Sequence, residues 1–387
     1  MRTATALLCS SLPLLVATLG AEACSDSTAP SAVNETAGDT ISTSVRWNQR
    51  AIALIVARQP ASNGQAVVSR ILTYVSLAQY RAVLGAQAAA TQSKPPSIAA
   101  AVSGASAAVL NSFFPLDSAA TEAQLKTDLA TIPSGSKDAT AGEVLGRNIG
   151  AAVIAAAASD NYNVSAVPAT PTGADKWVSS SAAVVKSLYG TRPFFLTSPS
   201  QLRAPAPPAI GSSPFITGLS EVRQIADTRT TAQTATAVKW NYSSGPFTAG
   251  ALNLFADSVI RAHKLGELES SRILAYANAA TFDAQIACWD SKFTYWFPRP
   301  VQQDKAITMA IALPNHPSYP SGHSCMCGAF LGVLSDAVPT DKATFDAMVD
   351  EAGMSRVYGG IHYRFDIDAG RDIGRATAAL ALKSSLK

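Results

Sequence analysis

The sequence predicts an almost entirely α-helical protein built from packed bundles. Apolar residues recur at three- and four-residue spacing through most of the chain, alanine is abundant within those segments, and the alternation expected of strands is scarce. With 387 residues, 48% of them apolar, the chain can bury a large core, and no internal repeat divides it into an array.

The chain opens on MRTATALLCSSLPLLVATLGAEACSDST. One arginine, an apolar run and the small-residue site Ala21-Glu22-Ala23 read as a secretory signal peptide over residues 1–23. Export to a periplasmic or extracellular location follows from that reading; a retained anchor is the alternative. Cys24 leaves lipidation open, although AEAC is a poor site for it. Residues 24–43 are small and polar and are expected to form a flexible leader, ahead of a single large helical domain over 44–387.

Helical periodicity starts at VRWNQRAIALIVARQ and continues through VVSRILTYVSLAQYRAVLGAQAAA. Residues 97–112, 119–131 and 140–159 add Ala-rich helices, the last of which needs close neighbours because its side chains are small. Two segments, NVSAVPATPTGAD (163–175) and LTSPSQLRAPAPPAIGSSPF (196–215), hold too much Pro, Ser and Thr to continue a helix. Their aromatic surroundings, Trp177, Phe194, Phe195 and Phe215, argue for ordered loops lying on a helical body rather than linkers. Further helices are expected at 217–233, 246–265, 268–291, 302–312, 323–336, 340–353 and 366–384.

Composition removes several function classes. The net charge of +3 comes from 30 basic and 27 acidic residues without a Lys/Arg run, which argues against a nucleic-acid partner. After the leader no segment keeps 18 strongly apolar residues together, so no stable membrane insertion is expected once the signal is cleaved. Neither a CxxCH haem site nor a glycine-rich nucleotide fingerprint is present. Cys325-x-Cys327 lacks the second pair that tetrahedral zinc requires. With Cys288 these residues are either a disulfide framework or buried thiols packing as small apolar groups.

Three basic clusters carry the candidate chemistry. In CWDSKFTYWFPRP, Lys292 lies near the end of a long helix and Arg299 seven residues later, before Pro300. In PSYPSGHS, Ser321 offers a hydroxyl, and Gly322 lets its amide approach a ligand where a helix begins and free N–H groups collect. His323 follows in the first turn, with an ordinary pKa near neutrality suited to proton exchange. In SRVYGGIHYRFD, Arg356 adds a third cation, and Asp366 stands four residues after His362. If that segment is helical, Asp366 accepts from His362 Nδ1 and leaves Nε2 free as a ligand or nucleophile. Taken singly, each feature has an ordinary explanation: a solvated helix end, a core histidine, a capping hydroxyl. Together they describe an electropositive pocket for a tetrahedral oxyanion, too cationic for magnesium.

The spacings K-x6-RP (Lys292 to Arg299-Pro300), PSGH (Pro320 to His323) and SR-x3-G-x-H-x3-D (Ser355, Arg356, Gly360, His362, Asp366) resemble those of the type 2 phosphatidic acid phosphatase and vanadium haloperoxidase superfamily. The Pro-rich segment and the length are similar to the secreted bacterial haloperoxidase branch. The resemblance implies two four-helix-bundle-like units around one vanadate site within residues 288–370, for which phosphate competes. It implies that Lys292, Arg299, Ser321, Gly322 and Arg356 hold the vanadate oxygens, with His362 as axial ligand. His323 then accepts a proton from hydrogen peroxide, Lys292 polarises the peroxide, and the halide so oxidised halogenates a small organic acceptor. Trp289 resembles the tryptophan of fungal chloroperoxidases and His316 the histidine of algal bromoperoxidases, a mixed pair that is read as bromide and iodide over chloride. His316 bracing its loop is the plainer alternative, and His263 reads as a surface or helix-packing residue.

Two other functions are open at this level. A secreted acid phosphatase would use His362 as nucleophile, giving a phosphohistidine, and His323 as acid for the leaving alcohol. A non-enzymatic oxyanion-binding protein would not need both histidines. A homodimer is the default for soluble oligomers, though the sequence names no interface.

Overall fold

The computed structural model describes residues 41–386, apart from 60–63, 134, 136, 165 and 166. The signal peptide, Cys24 and all but the last three residues of the expected leader lie outside the described residues. The first helix, α1 (Thr43–Arg58), opens with Ser42 accepting from the Val45 amide, so helix begins at the last position assigned to the leader.

Helices α2 (Gly64–Ala88), α3 (Ile98–Phe113), α4 (Ser118–Ala130) and α5 (Ala139–Ala158) complete an N-terminal bundle with α1. Its core is built around Trp47, Ile55, Leu72, Leu77, Val102 and Leu110. The helices α3 and α5 meet along faces of Ala and Gly, which lets two weakly amphipathic, Ala-rich helices pack closely. This is the close neighbour that the small side chains of α5 require.

The C-terminal bundle follows from α8 (Phe247–Ala262), α9 (Glu267–Tyr295), α11 (Gly322–Ala337), α12 (Lys342–Tyr358) and α13 (Arg364–Lys383). Every residue of α9 from Ser270 to Phe293, except Arg272, is buried, as expected for a helix surrounded on all sides. It packs on α2 in the first bundle and on α11 and α13 in the second, so one helix belongs to both cores. Among the described residues no strand pairs into a sheet; one isolated bridge joins Pro96 and Asp138. The all-α bundle class expected from the periodicity is the observed class.

The second Pro-rich segment, with the residues just before it, is an ordered strap on α9. Both carboxylate oxygens of Asp283 accept backbone N–H groups, from Phe194 at 2.7 Å and from Phe195 and Leu196 at 2.7 and 3.0 Å. Arg203 pairs with Asp290 through two bonds of 2.6 and 3.0 Å, and the hydroxyls of Tyr295 and Tyr319 reach the carbonyls of Ala204 and Pro205. A segment without a regular ladder thereby satisfies its backbone from side chains of the helix beneath it.

Three sequence expectations need correction. The helix expected at 302–312 is a loop after a single turn, α10 (Pro300–Gln303). Asp304 turns the chain by accepting from the Ala306 amide, Arg229 bonds the Thr308 carbonyl, and Ala310 N–H bonds Gly359. Buried Ile307 and Ile311 then hold an extended path, so tertiary contacts override the periodicity. The helix expected at 217–233 is two helices, α6 (Ser213–Thr228) and α7 (Thr231–Lys239), because Thr230 caps a new start with Gln233. Lastly, His362 is not helical; it lies two residues before α13.

Candidate functional site

The site forms where the start of α11, the end of α12 and the start of α13 converge against the C-terminal end of α9. Ser321 is the N-cap of α11 and its hydroxyl accepts from the Ser324 amide. Its own N–H bonds the Asp366 carbonyl at 2.8 Å, which ties the PSGH turn to α13. That approach depends on Gly370, where a Cβ would stand 2.5 Å from the Ser321 carbonyl oxygen. The Tyr319–Pro320 peptide is cis. Gly360, at φ +76°, supplies the turn from α12 into the segment carrying His362, while Gly359 keeps a helical φ of −67°.

Asp366 holds His362 as the spacing suggested, by a different local structure. Asp366 occupies the first turn of α13, and its Oδ2 accepts from His362 Nδ1 at 2.7 Å, from Ser318 Oγ at 2.5 Å and from Tyr363 N–H at 3.2 Å. The chain folds back from the helix start to make this contact. Arg299 Nη1 donates to His362 Nε2 at 2.9 Å and to the Ile361 carbonyl at 2.8 Å. Its Nε bonds the His316 carbonyl at 3.0 Å, and Nη2 lies 3.1 Å from His316 Nδ1. His362 therefore has Nδ1 protonated and its Nε2 lone pair facing a guanidinium.

Lys292 is fully buried, and its Nζ donates to the carbonyls of Pro317 (2.8 Å), Ser318 (2.7 Å) and Pro320. The ammonium thus underpins the loop that presents Ser321. Arg356, also buried, bonds Ser355 Oγ at 2.9 Å and the Ala237 carbonyl at 2.8 Å. His323 Nε2 lies 3.0 Å from the Trp240 carbonyl and 3.3 Å from Thr248 Oγ1. The carbonyl fixes the proton on Nε2 and leaves Nδ1 as the acceptor.

Burial governs the electrostatics. Desolvation, with Arg299 and Lys292 adding repulsion, holds His362 well below its ordinary value. Burial, then Arg356, lowers His323 to about 3. His316 is likewise held well down by burial and by Lys292. All three imidazoles are neutral near pH 7, so the Asp366–His362 contact is a hydrogen bond to a neutral ring. Burial also lowers Lys292 to about 8 and both Arg299 and Arg356 to about 10, and raises Asp366 to about 6.

Three buried cations around one carboxylate leave positive charge uncompensated, and such a set calls for an anion. His316, Gly322, His323, Arg356, His362 and Trp289 line a cavity of about 270 Å³. Lys292, Arg299, Ser321 and Asp366 are fully buried behind that lining. Trp289 and His316 face each other with ring centroids 5.3 Å apart. Among the described residues no group of three His, Cys, Asp or Glu side chains is placed to hold a metal ion. Cys288, Cys325 and Cys327 are buried free thiols, which decides the alternative left open by their spacing. His263 caps α8 and bonds Asp341 at 2.9 Å, away from the site.

Sequence reasoning missed Ser318, Thr248 and the Trp240 carbonyl. Ser318 stood in plain view within PSYPSGH, three residues before Ser321. Thr248 and Trp240 lie 75 and 83 residues from His323 and carry no motif. Gln65, on α2, and Thr248 are linked reciprocally, since Gln65 Oε1 accepts from Thr248 N–H and Gln65 Nε2 donates to Thr248 Oγ1, so the first bundle braces His323.

Residues 272–387 match the PAP2 superfamily. The chain is 26% identical over 126 residues to a vanadium-dependent bromoperoxidase of Ascophyllum nodosum, a match spanning 25% of this chain and only 21% of that relative. Its fold is similar to that of a bacterial vanadium-dependent iodoperoxidase, with a TM-score of 0.73, 22% identity, and coverage of 89% of this chain and 97% of the other. A bacterial vanadium-dependent chloroperoxidase gives a TM-score of 0.68 at 15% identity, over 85% of this chain and 94% of that one. Among the described residues no helix is long and apolar enough to cross a membrane. The sequence match to the PAP2 superfamily thus lies in the C-terminal part, and the fold over most of the chain is similar to that of vanadium-dependent haloperoxidases.

Proposed function

We propose that this protein is an exported vanadate-dependent haloperoxidase that oxidises bromide or iodide, in preference to chloride, with hydrogen peroxide. The observation that carries this reading is a pair of neutral histidines facing one cavity backed by three buried cations. The donor set suits a tetrahedral oxyanion: the Lys292 ammonium, the Arg299 and Arg356 guanidinium groups, Ser321 Oγ and the Gly322 amide would hold vanadate, with His362 Nε2 as its protein ligand. Phosphate competes for the same donors. Bound vanadate would act as a Lewis acid that makes peroxide oxygen electrophilic toward halide.

The residues divide the remaining work. Asp366 keeps the His362 proton on Nδ1, so that Nε2 would be available once Arg299 redirects its hydrogen bond to the anion. Lys292 can give up one of its three carbonyl partners without leaving its place beneath the loop. His323, neutral because burial and Arg356 disfavour its charge, is set to take a proton at Nδ1. A bound anion would offset the nearby positive charge and raise the basicity of Nδ1 toward the range that proton transfer needs. The His316 ring against Trp289 supplies the halide preference.

The test compares peroxide-dependent bromination of a phenolic dye with and without orthovanadate, in protein freed of phosphate, and follows phosphate-ester hydrolysis in the same preparation. Vanadate-dependent bromination lost in His362→Ala is the expected result. Ester hydrolysis without halide oxidation would reassign His362 as a phosphoryl-accepting nucleophile. Vanadate binding with neither activity would leave an oxyanion-binding protein.

A further inference from the structure

Beside the two histidines part of the cavity wall is apolar, and two of its residues belong to a strap far away in sequence. Val184, Val185, Leu313, Pro314, Phe247 and Met326 line it. Asn315 joins the strap to the loop that carries His316, using every hydrogen-bonding group it has on that side. Its Oδ1 accepts from Ser179 Oγ at 2.6 Å, and Nδ2 donates to Ser181 Oγ at 2.9 Å and to the Ala182 carbonyl at 2.8 Å. The Asn315 carbonyl accepts from Val184 N–H at 2.9 Å. The next residue, Val185, is held at φ +63°. A β-branched side chain rarely occupies that region, and it persists only where the surroundings fix it.

We propose that Asn315 is a specificity-determining positioning residue: by clasping the 179–185 strap it sets Val184 and Val185 as a wall that confines the acceptor to a small aromatic or apolar molecule bound beside His323. The inference rests on the haloperoxidase reading for why an organic acceptor should enter, and on the clasp for the size limit. The volume supports the class. An apolar cavity of roughly 150 Å³ accepts benzene, so about 270 Å³, part of it beside Arg356 and His362 where the anion would sit, suits one or two fused rings better than three.

Calorimetric binding of phenol, 1-naphthol and 9-phenanthrol to the full chain, with inorganic phosphate present and no vanadate, peroxide or halide, tests the wall without any turnover. The native protein is expected to bind phenol and 1-naphthol and to disfavour 9-phenanthrol by about tenfold or more. In Asn315→Ala that discrimination should shrink to about threefold or less. A structural role alone would weaken all three ligands together. Val184→Trp, which alters the wall itself from a half-buried position at its rim, should weaken 1-naphthol by about tenfold. Equal affinity of the native protein for two and three rings, absence of phenol binding, or discrimination that survives Asn315→Ala would overturn the proposal. Lack of bromination with size-selective binding intact would sink the catalytic reading and leave the clasp standing.

Discussion

Arg299 Nη1 and His362 Nε2 stand 2.9 Å apart, on the edge of the imidazole remote from its 2.7 Å bond to Asp366. The ring is thus gripped from both sides, with its tautomer set by the carboxylate and its lone pair held against a cation that an oxyanion would draw away. Asp366→Asn replaces an acceptor-only carboxylate with an amide whose NH2 can face the ring, so the proton is no longer fixed on Nδ1. Loss of such an orienting partner costs about 10- to 100-fold, so vanadate-dependent bromination should fall by that factor while circular dichroism stays native. Full activity in Asp366→Asn would show that the tautomer is fixed by something else.

Burial, followed by repulsion from Arg299, lowers the Lys292 ammonium from its ordinary value to about 8. The group is therefore charged below that pH and neutral above it, and affinity for a permanent dianion such as tungstate should drop as pH rises through about 8. Because the folded value lies below the unfolded one, charging Lys292 removes stability as pH falls through about 8, and bound anion restores it. Lys292→Met should bind tungstate weakly and without this alkaline decline. Titration calorimetry at several pH values reads both effects.

The carbonyl of Ser321 lies where a Cβ on residue 370 would be, at 2.5 Å. Gly370→Ala must push the start of α11 off α13 at the turn that presents Ser321 and Gly322. Overpacking of this kind costs about 1–3 kcal/mol. A lower melting temperature together with weaker phosphate binding is expected; a drop in melting temperature with unchanged phosphate affinity would separate the helix contact from the anion turn.

Asp283 satisfies three backbone N–H groups of the strap over α9. Asp283→Ala leaves them buried without acceptors, at about 1–3 kcal/mol for each group that cannot reach water. Denaturant unfolding should show a loss of about 3 kcal/mol, and amide exchange at Phe194, Phe195 and Leu196 should accelerate more than exchange in α9. Uniform acceleration would mean that the carboxylate supports the whole helix rather than the strap.

Local pattern and tertiary structure diverge at Ile307 and His362. Periodicity over 302–312 is helical, yet Arg229, Asp304 and Gly359 capture that backbone in an extended loop. The four-residue spacing of His362 and Asp366 pointed to the right contact for the wrong reason, because the histidine precedes the helix and the chain turns back on its first turn. Short-range spacing fixes which groups can meet, and several backbone paths satisfy the same spacing.

By itself the sequence determined the helical class, through apolar period and alanine content, and it determined the residue types gathered near the site, through three local motifs. These are short-range properties, legible because helix periodicity and turn chemistry act within a few residues. Only the tertiary structure decided that Lys292 gives its donors to the loop carbonyls, that Arg299 faces His362, that Thr248 and Trp240 hold His323, and that Asn315 clasps a strap more than 130 positions away. Those contacts come from packing two bundles against a shared helix, which brings distant segments into a buried interior where desolvation shifts the charge state of each group.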